Sequence, residues 1–379
     1  MDKENITIIG SGWGCAGFIK YIDTNKYNVT VISKDLHFTF TPLLTYSSTR
    51  SRFQSCNTTQ HLSNINNKVK FIKSNVDNVN IIKNELIMDK STNKYDYLVL
   101  SHGADVNTFN IKGIEEYTLF LKTHKDAIKI QEQIRNLDKN KNIAIIGCGL
   151  TGAELIGHLI DTKKFNIYAI DGLPKPLSLF SDSISDYVIN LWKKNNVQLN
   201  FNNFVTHVDK DHIHFKNNKI KYDLAIWCGG VKPNSLTNII NKQLTHINPN
   251  DSKFGISGSN TTIYSKFGIP VNNMLQVQNN IFAIGDCAYS GLPPTAQVAY
   301  QQGKYLANNF NNKFKNNEPF KFENKGQICY VGNKKSVYQI NKFQSSGNLT
   351  YYINQIIHIY NAININQKCS FIKSFLKDK

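Results

Sequence analysis

Two absences bound this 379-residue chain before any motif is read. No apolar run approaches the roughly 20 residues that span a bilayer. A transmembrane helix, and with it a proton path across a membrane, is therefore excluded for this sequence. The seven cysteines, at 15, 56, 148, 228, 287, 329 and 369, form no CxxC pair and no metal-ligand spacing. No metal is expected, and reduced thiols in a reducing compartment are the default. Acid is also scarce, with 27 Asp and Glu against 44 Lys and Arg, a formal charge of +17. Such an excess draws a protein toward an anionic membrane surface or a nucleic acid. The opposing reading is background composition, since Lys, Asn and Ile are plentiful throughout. The lysines are dispersed and no recognition motif stands out, so no nucleic acid partner is expected. The amino terminus shows neither a signal-peptide pattern nor an Arg-rich presequence, because a strand begins almost at once after Met1.

What is present is ordinary globular material, 41% hydrophobic and 19% charged, long enough for two or three domains. It contains a repeat. "NITIIGSGWGCAGFIKYID" from Asn5 is echoed by "NIAIIGCGLTGAELIGHLID" from Asn142. "YNVTVIS" (27–33) matches "FNIYAID" (165–171), and "KYDYLVLSHGA" (94–104) matches "KYDLAIWCGGV" (221–231). The three echoes fall in the same order at offsets of about 130 residues. One chance match of short apolar strands is unremarkable, but three in series indicate a duplicated nucleotide-binding domain. The strands are Ile, Val and Leu runs bounded by Gly or Asn, as in buried parallel sheets. Residues 115–140 read as a connecting helix with Leu121, Ala127, Ile128, Ile130 and Ile134 on one face. "QNNIFAIGDCAYS" supplies a strand and turn returning to the first domain, and the stretch after it alternates like strands.

In the second copy Gly147, Gly149 and Gly152 complete a GxGxxG between a strand and a helix. The first glycine permits the turn, the second lets backbone approach a pyrophosphate, and the third lets helix and strand pack closely. The helix N-terminus then directs N–H groups at the phosphates. Asp171 follows about 24 residues after Gly147 at a strand end. An acid there holds a ribose 2′-OH and repels a 2′-phosphate, favouring NADH over NADPH, although nearby Lys175 opposes that preference. The first copy has Gly10 and Gly12, Cys15 where the third glycine would sit, and Gly14 and Gly17 nearby. Its acid position holds Ser33, a weaker ribose contact. A merely structural glycine turn is the alternative there. The fold class expected is α/β, with two Rossmann-like dinucleotide-binding domains.

These residues carry a resemblance. "GSGWG", "FTFTPLL", "GIEEYTLFLKTHKDA", "GCGLTGAE", "NIFAIGDCA" and "PTAQVAYQQGKYL" resemble, in order over nearly the whole chain, the alternative or type II NADH:quinone oxidoreductases. The resemblance implies FAD in the first cradle and NADH as substrate in the second. It implies that Gly10, Gly12, Gly14, Ser33, Gly103, Ala104 and Asp286 hold FAD, with Thr41 and Pro42 lining the flavin. It places Gly147, Gly149, Gly152, Asp171 and Gly230 on the nicotinamide side, with Glu154 near both rings. Glu154 has a plainer reading as a carboxylate favoured by a helix start. In "PPTAQVAYQQGKYL", Gln297 and Gln301 share a helix face and small Ala296 permits close approach. The resemblance makes this helix the wall of a quinone pocket. A polar helix packed on a sheet is the alternative.

The implied activity is non-proton-pumping transfer from NADH through FAD to a membrane quinone. The implied domains are 1–112 with 270–340 for FAD, 113–269 for NADH, and 341–379 as a C-terminal membrane-anchoring segment. In that segment Ile353, Ile356, Ile357 and Tyr360 share one helical face. Phe371, Ile372, Phe375 and Leu376 share another, beside Lys373 and Lys377, as for a helix lying on an anionic lipid surface. The expected state is a homodimer, peripheral to the mitochondrial inner membrane in a eukaryote or to the cytoplasmic face of a bacterial plasma membrane. The chain departs from the family in being short, in Cys228–Gly229 where Ala and Thr are usual, and in Cys148. A sulfide:quinone oxidoreductase, another FAD- and NAD(P)H-dependent reductase and a non-enzymatic NADH sensor are the alternatives.

Overall fold

A computed structural model describes residues 3–50, 58–89, 91–247, 266–315 and 318–377. The chain divides into two compact units. Unit 1 comprises 1–38, 60–105 and 231–323, and unit 2 comprises 39–59, 106–230 and 324–379. These bounds differ from the expected domains. Segment 39–59 groups with the second copy, 231–269 with the first, and the C-terminal residues from 324 belong to unit 2.

Unit 1 is built on a six-stranded sheet. Glu4–Ile9 lies between Tyr27–Ser33 and Tyr97–Leu100, with Lys70–Lys73 and Ile281–Ala283 flanking them. All these pairings are parallel, and only the edge strand Gln276–Gln278 runs antiparallel. Four consecutive residues, Ile6 to Ile9, are buried, because both faces of a parallel sheet are covered. The expected return of "NIFAIGDCA" to the first copy is borne out by pairing of Ile281–Ala283 with Leu98–Leu100.

Unit 2 repeats the plan. Asn142–Ile146 lies between Asn166–Ile170 and Leu224–Trp227, with Gln198–Asn200 and Leu119–Phe120 at the edges, all parallel. The duplication reaches further than the three echoes. Each copy also carries an outer strand (Lys70–Lys73 or Gln198–Asn200) followed by a three-stranded antiparallel meander, 76–94 in one and 207–221 in the other. These strands are too short and too polar for periodicity to reveal them.

The connecting helix is shorter than expected. Leu119–Phe120 is drawn into the sheet beside Ile226–Trp227. Thr123 and Asp126 then form a reciprocal capping box, so the helix runs only over His124–Asn136. Ala127, Ile130 and Ile134 are its buried residues, whereas Ile128 is half-buried and Leu121 precedes the helix.

The C-terminal part of unit 2 is an antiparallel meander of Gln327–Gly332, Lys335–Ile340 and Phe343–Gly347. Its first turn, Asn333–Lys334, has two positive φ values, 53° and 54°, matching the twist of a two-residue hairpin. Helices Asn348–Asn361 and Ile365–Lys377 follow. The first is inverted. It buries polar Thr350, Asn354 and His358, spaced four apart, and exposes Leu349, Tyr352, Ile353, Ile356 and Tyr360. The second divides its expected apolar face. Phe371 is fully buried with its ring 5.0 Å from Phe40, and Phe375 meets Tyr46 at 5.8 Å. Ile372 and Leu376 face outward. Among the described residues no helix is long and apolar enough to cross a membrane.

Candidate functional site: two glycine cradles and a polar cleft

In unit 1 the buried strand Glu4–Ile9 ends at Gly10, whose φ is +115°. A Cβ there would sit 2.1 Å from the Ser101 carbonyl oxygen, so the turn closes only on glycine. Gly12 caps the helix Trp13–Tyr21 without any side-chain hydrogen bond, and no acid lies in its first turn. A Cβ on Gly12 would meet nothing within 4 Å, and the same holds at Gly103. The result is an open space beside an uncapped helix N-terminus, which suits a pyrophosphate. A Cβ on Gly14 would lie 2.7 Å from Ser101 Oγ, at the same strand end that closes on Gly10. Gly17 and Gly303 let this helix and the helix Ala296–Asn311 touch backbone to backbone, since a Cβ on Gly303 would lie 2.1 Å from the Gly14 carbonyl oxygen. Buried Cys15 fills the place of the third fingerprint glycine.

Gly10 and Gly12, Ser33, Gly103 and Ala104, and Asp286 all follow the C-terminal ends of neighbouring parallel strands. That edge is where open α/β sheets bind ligands. Ser33 Oγ donates to Ser11 Oγ at 3.3 Å, tying the second strand end to the glycine turn. Gln302, only 1% exposed, accepts from the Gly285 N–H at 2.7 Å and donates to Ser290 Oγ at 3.0 Å. It thereby braces the turn that carries Asp286. On the same helix Thr295 caps the Val298 N–H. Gln301 donates to the Glu323 carbonyl at 2.9 Å and accepts from the Glu323 N–H at 3.0 Å, so its amide fastens a neighbouring segment. Ala296 and Gln297 are half-buried at the helix start.

In unit 2 the second cradle follows the same physics. Gly147 has φ +98°, and a Cβ would meet the Cys228 carbonyl at 2.9 Å. A Cβ on Gly152 would lie 1.8 Å from the Gly147 oxygen, whereas one on Gly149 would meet nothing within 4 Å. Gly149 is the uncapped start of the helix Leu150–Thr162. Asp171 accepts from the Cys148 N–H at 2.6 Å and from the Leu173 N–H at 2.9 Å. Its carboxylate thus holds the glycine loop in place. Lys175, the expected opponent of Asp171, instead reaches Asp186 at 2.9 Å and Asp182 at 3.3 Å. Gly230 is exposed beyond the strand Leu224–Trp227.

Unit 2 also contains a small cleft of about 30 Å³ whose walls include Pro42, Glu154, His158, Tyr330, Asn354 and His358. Thr41 and Pro42, expected at the flavin, lie on a short turn of this unit. Glu154 keeps some accessible surface, yet desolvation pushes its carboxyl up to about 8. The Thr45 hydroxyl, donating at 3.1 Å, pulls the other way and is outweighed. Burial holds His158 neutral, with lesser contributions from Arg50 and His358, and lowers His358 to about 4. His158 stacks on Tyr330 at 4.6 Å. Asp161 binds Arg50 and the Tyr330 hydroxyl, each at 2.6 Å, which neutralises the cation in the cleft. The Nδ1 of His158 and the Oδ1 of Asn354 are buried without a hydrogen-bond partner. Pro42 and Glu154 were visible from their motifs. His158, Asn354 and His358 come from distant elements and carry no shared spacing.

A family model described as pyridine nucleotide-disulphide oxidoreductase matches residues 4–303. A probable NADH dehydrogenase of Dictyostelium discoideum is 30% identical, over 92% of this chain and 83% of that protein. A probable mitochondrial NADH-ubiquinone oxidoreductase of Schizosaccharomyces pombe is 27% identical, over 99% of this chain and 83% of that protein. The chain belongs to the pyridine nucleotide-disulphide oxidoreductase family. The resemblance to its type II NADH:quinone branch is borne out by these relatives. The fold matches that of NDH2 from Plasmodium falciparum, solved in complex with NADH, with a TM-score of 0.88, 24% identity, and coverage of 99% of this chain and 98% of that one.

The family is named for a disulphide, but the described cysteines of this member are all free. Burial raises the thiols of Cys15, Cys148 and Cys329 far above the usual range, and those of Cys228 and Cys287 to about 12. Such thiols do not form the nucleophilic thiolate. Cys369 is exposed, and Cys56 lies outside the described residues.

Glu154 generates a pH prediction. Its folded carboxyl binds a proton that the unfolded carboxyl, with its ordinary value near 4.5, has already released. Stability therefore falls as pH rises from about 4.5 toward about 8 and then levels. The limiting slope for one proton is about 1.4 kcal/mol per pH unit. Glu154→Gln keeps an acceptor for Thr45 and removes the titration. Denaturant unfolding of the flavin-loaded proteins should show the variant gaining on the wild type with rising pH up to about 8. A difference independent of pH contradicts the assignment.

Proposed function

We propose that the chain is a non-proton-pumping NADH:quinone oxidoreductase that holds FAD in unit 1 and takes NADH in unit 2. One observation carries this reading. In a member of this family, each unit presents an uncapped helix start beside a glycine whose missing side chain leaves open space. Bound FAD would supply the hydride acceptance from NADH and the two-electron delivery to a quinone, chemistry that the cofactors themselves carry.

The chain's own residues bind and orient. Gly10, Gly12 and Gly14 shape the FAD cradle, Gly103 and Ala104 provide the second crossing, and Asp286 offers a carboxylate to the ribityl chain. Ser33 supports the ribose beside the first glycine turn. Gly147, Gly149, Gly152 and Gly230 cradle NADH. Asp171 braces the loop while presenting its acid to the ribose, and Lys175, engaged with Asp182 and Asp186, leaves that preference for NADH unopposed. Glu154, on the helix of the second cradle, holds a proton near neutral pH. Ala296, Gln297 and Gln301 lie on the helix that faces the quinone, with Gln301 also fastening the Glu323 backbone.

The inverted helix supports docking on a bilayer. Its exposed Leu349, Tyr352, Ile353, Ile356 and Tyr360 form an apolar face on a protein of net charge +17. Anionic lipid satisfies both features. This makes the protein peripheral, on the mitochondrial inner membrane in a eukaryote or the cytoplasmic face of a bacterial plasma membrane. The expected homodimer and the lack of a nucleic acid partner belong to the same reading.

Steady-state oxidation of NADH and NADPH against a short-chain ubiquinone tests the activity. Turnover with NADH, at a kcat/KM well above that for NADPH, is expected. Reduction of quinone by sulfide alone favours the sulfide:quinone alternative, and no quinone turnover at all favours a sensor. The lipid face is tested by co-sedimentation with anionic vesicles. Replacing Ile356 and Tyr360 together by Asp should weaken binding at least about tenfold while leaving the flavin spectrum intact. Unchanged sedimentation contradicts a membrane role for this helix.

A further inference from the structure

The second copy's meander differs from the first copy's in what it places on its outer face. Its sequence, "HVDKDHIH" from His207 to His214, holds three of the chain's ten histidines. Val208 pairs with Ile213, and both are buried, as Val79 and Leu86 are at the corresponding pair of the first meander. His212 and His214 flank Ile213, so strand periodicity puts both imidazoles on the face opposite the buried side chain. The first meander has Glu85 and Ile87 in those places. The histidines are therefore particular to the second copy's meander.

The turn delivers a carboxylate to the same face. Asp209 Oδ1 accepts from the N–H groups of Asp211 and His212, each at 2.8 Å, which fixes the side chain over the turn. Its Oδ2 lies 2.6 Å from His214 Nε2, and its Oδ1 lies 3.7 Å from His212 Nδ1. One ligand atom from each of the three residues falls within 4.8 Å of the others. His207, directly across the strand, stacks on His214 at 3.9 Å with planes 11° apart and sets the orientation of that ring.

We propose that Asp209, His212 and His214 form a surface site for a late first-row divalent cation, with Zn2+ as the ion it takes. Two imidazole nitrogens and one carboxylate are ligands of intermediate softness, suited to zinc rather than to magnesium or calcium. Bonds of about 2.0–2.2 Å in a tetrahedron put ligand atoms roughly 3.3 Å apart. Side-chain movements of about 1 Å bring the trio to that spacing. The ion takes the place of the direct hydrogen bond between Asp209 Oδ2 and His214 Nε2. The fourth position falls to water, because the three residues retain accessible surface. A scan for cysteine spacing misses this arrangement, since it depends on a turn and on strand alternation. The proposal is independent of the redox reading.

The test uses flavin-loaded protein carrying Cys369→Ser, to remove the exposed thiol, freed of metal with a chelator. Zinc titration against a chromogenic chelator should show one site per chain. Replacing His212 and His214 by Ala should abolish that site or weaken it at least about tenfold. Asp209→Asn, which keeps the hairpin histidines, should weaken it in the same direction. Cu2+ bound stoichiometrically to the parent protein should give an electron paramagnetic resonance spectrum with nitrogen splitting. No zinc uptake by the parent, unchanged affinity in the variants, or an all-oxygen copper spectrum would each overturn the proposal.

Discussion

Two close approaches of a backbone carbonyl to a glycine carry this structure. Ser101 presses its oxygen into the space where Gly10 lacks a side chain, and Cys228 does the same at Gly147. In each unit this contact holds the end of the third repeated strand against the turn that leaves the first. It leaves the following helix to begin at a bare glycine, with its N–H groups directed outward. A Cβ at either turn would force the carbonyl away, and the strand end, the loop and the helix start would all shift together. The phosphate-binding geometry and the packing of the sheet thus share one constraint.

The copies diverge where the constraint is relaxed. Asp171 anchors the second loop through the Cys148 N–H, whereas Ser33 makes only a hydroxyl contact with Ser11 in the first. The first helix packs against Ala296–Asn311 through Gly14, Gly17 and Gly303. The second packs against the C-terminal meander, where a Cβ on Gly157 would lie 2.7 Å from the Gly332 nitrogen. One glycine turn has therefore been fitted to two neighbours. The inverted C-terminal helix belongs to this second setting. Burying Asn354 and His358 places polar atoms in the cleft with Glu154 and leaves aliphatic and aromatic side chains outside.

Much of this was legible because the signals are local. Ile6–Ile9 and Ile143–Ile146 announce buried parallel strands, and glycine spacing announces the turns. The fold class, the duplication, the kinship and the returning strand at Ile281 all followed from such patterns. Contacts set by tertiary structure were not legible. Nothing local marks the bond that Gln302 accepts from the Gly285 N–H. Leu119–Phe120 reads as helix because the sheet edge that captures it lies about 100 residues away. Phe371 and Ile372 share an apolar stretch, but only the first finds Phe40 to pack against. Glu154 was visible as a motif residue, while its raised proton affinity comes from surroundings that no spacing encodes.

The central claim is a division of labour between two turns of nearly identical design, the first for the flavin and the second for the nicotinamide. The visible spectrum of purified Gly149→Asp, recorded anaerobically before and after NADH, tests it most directly. The new carboxylate enters the open space of the second cradle and repels a phosphate there. The account predicts a full complement of bound FAD that NADH no longer bleaches and dithionite still does. Loss of the flavin from this variant, or bleaching by NADH as fast as in the wild type, would contradict it.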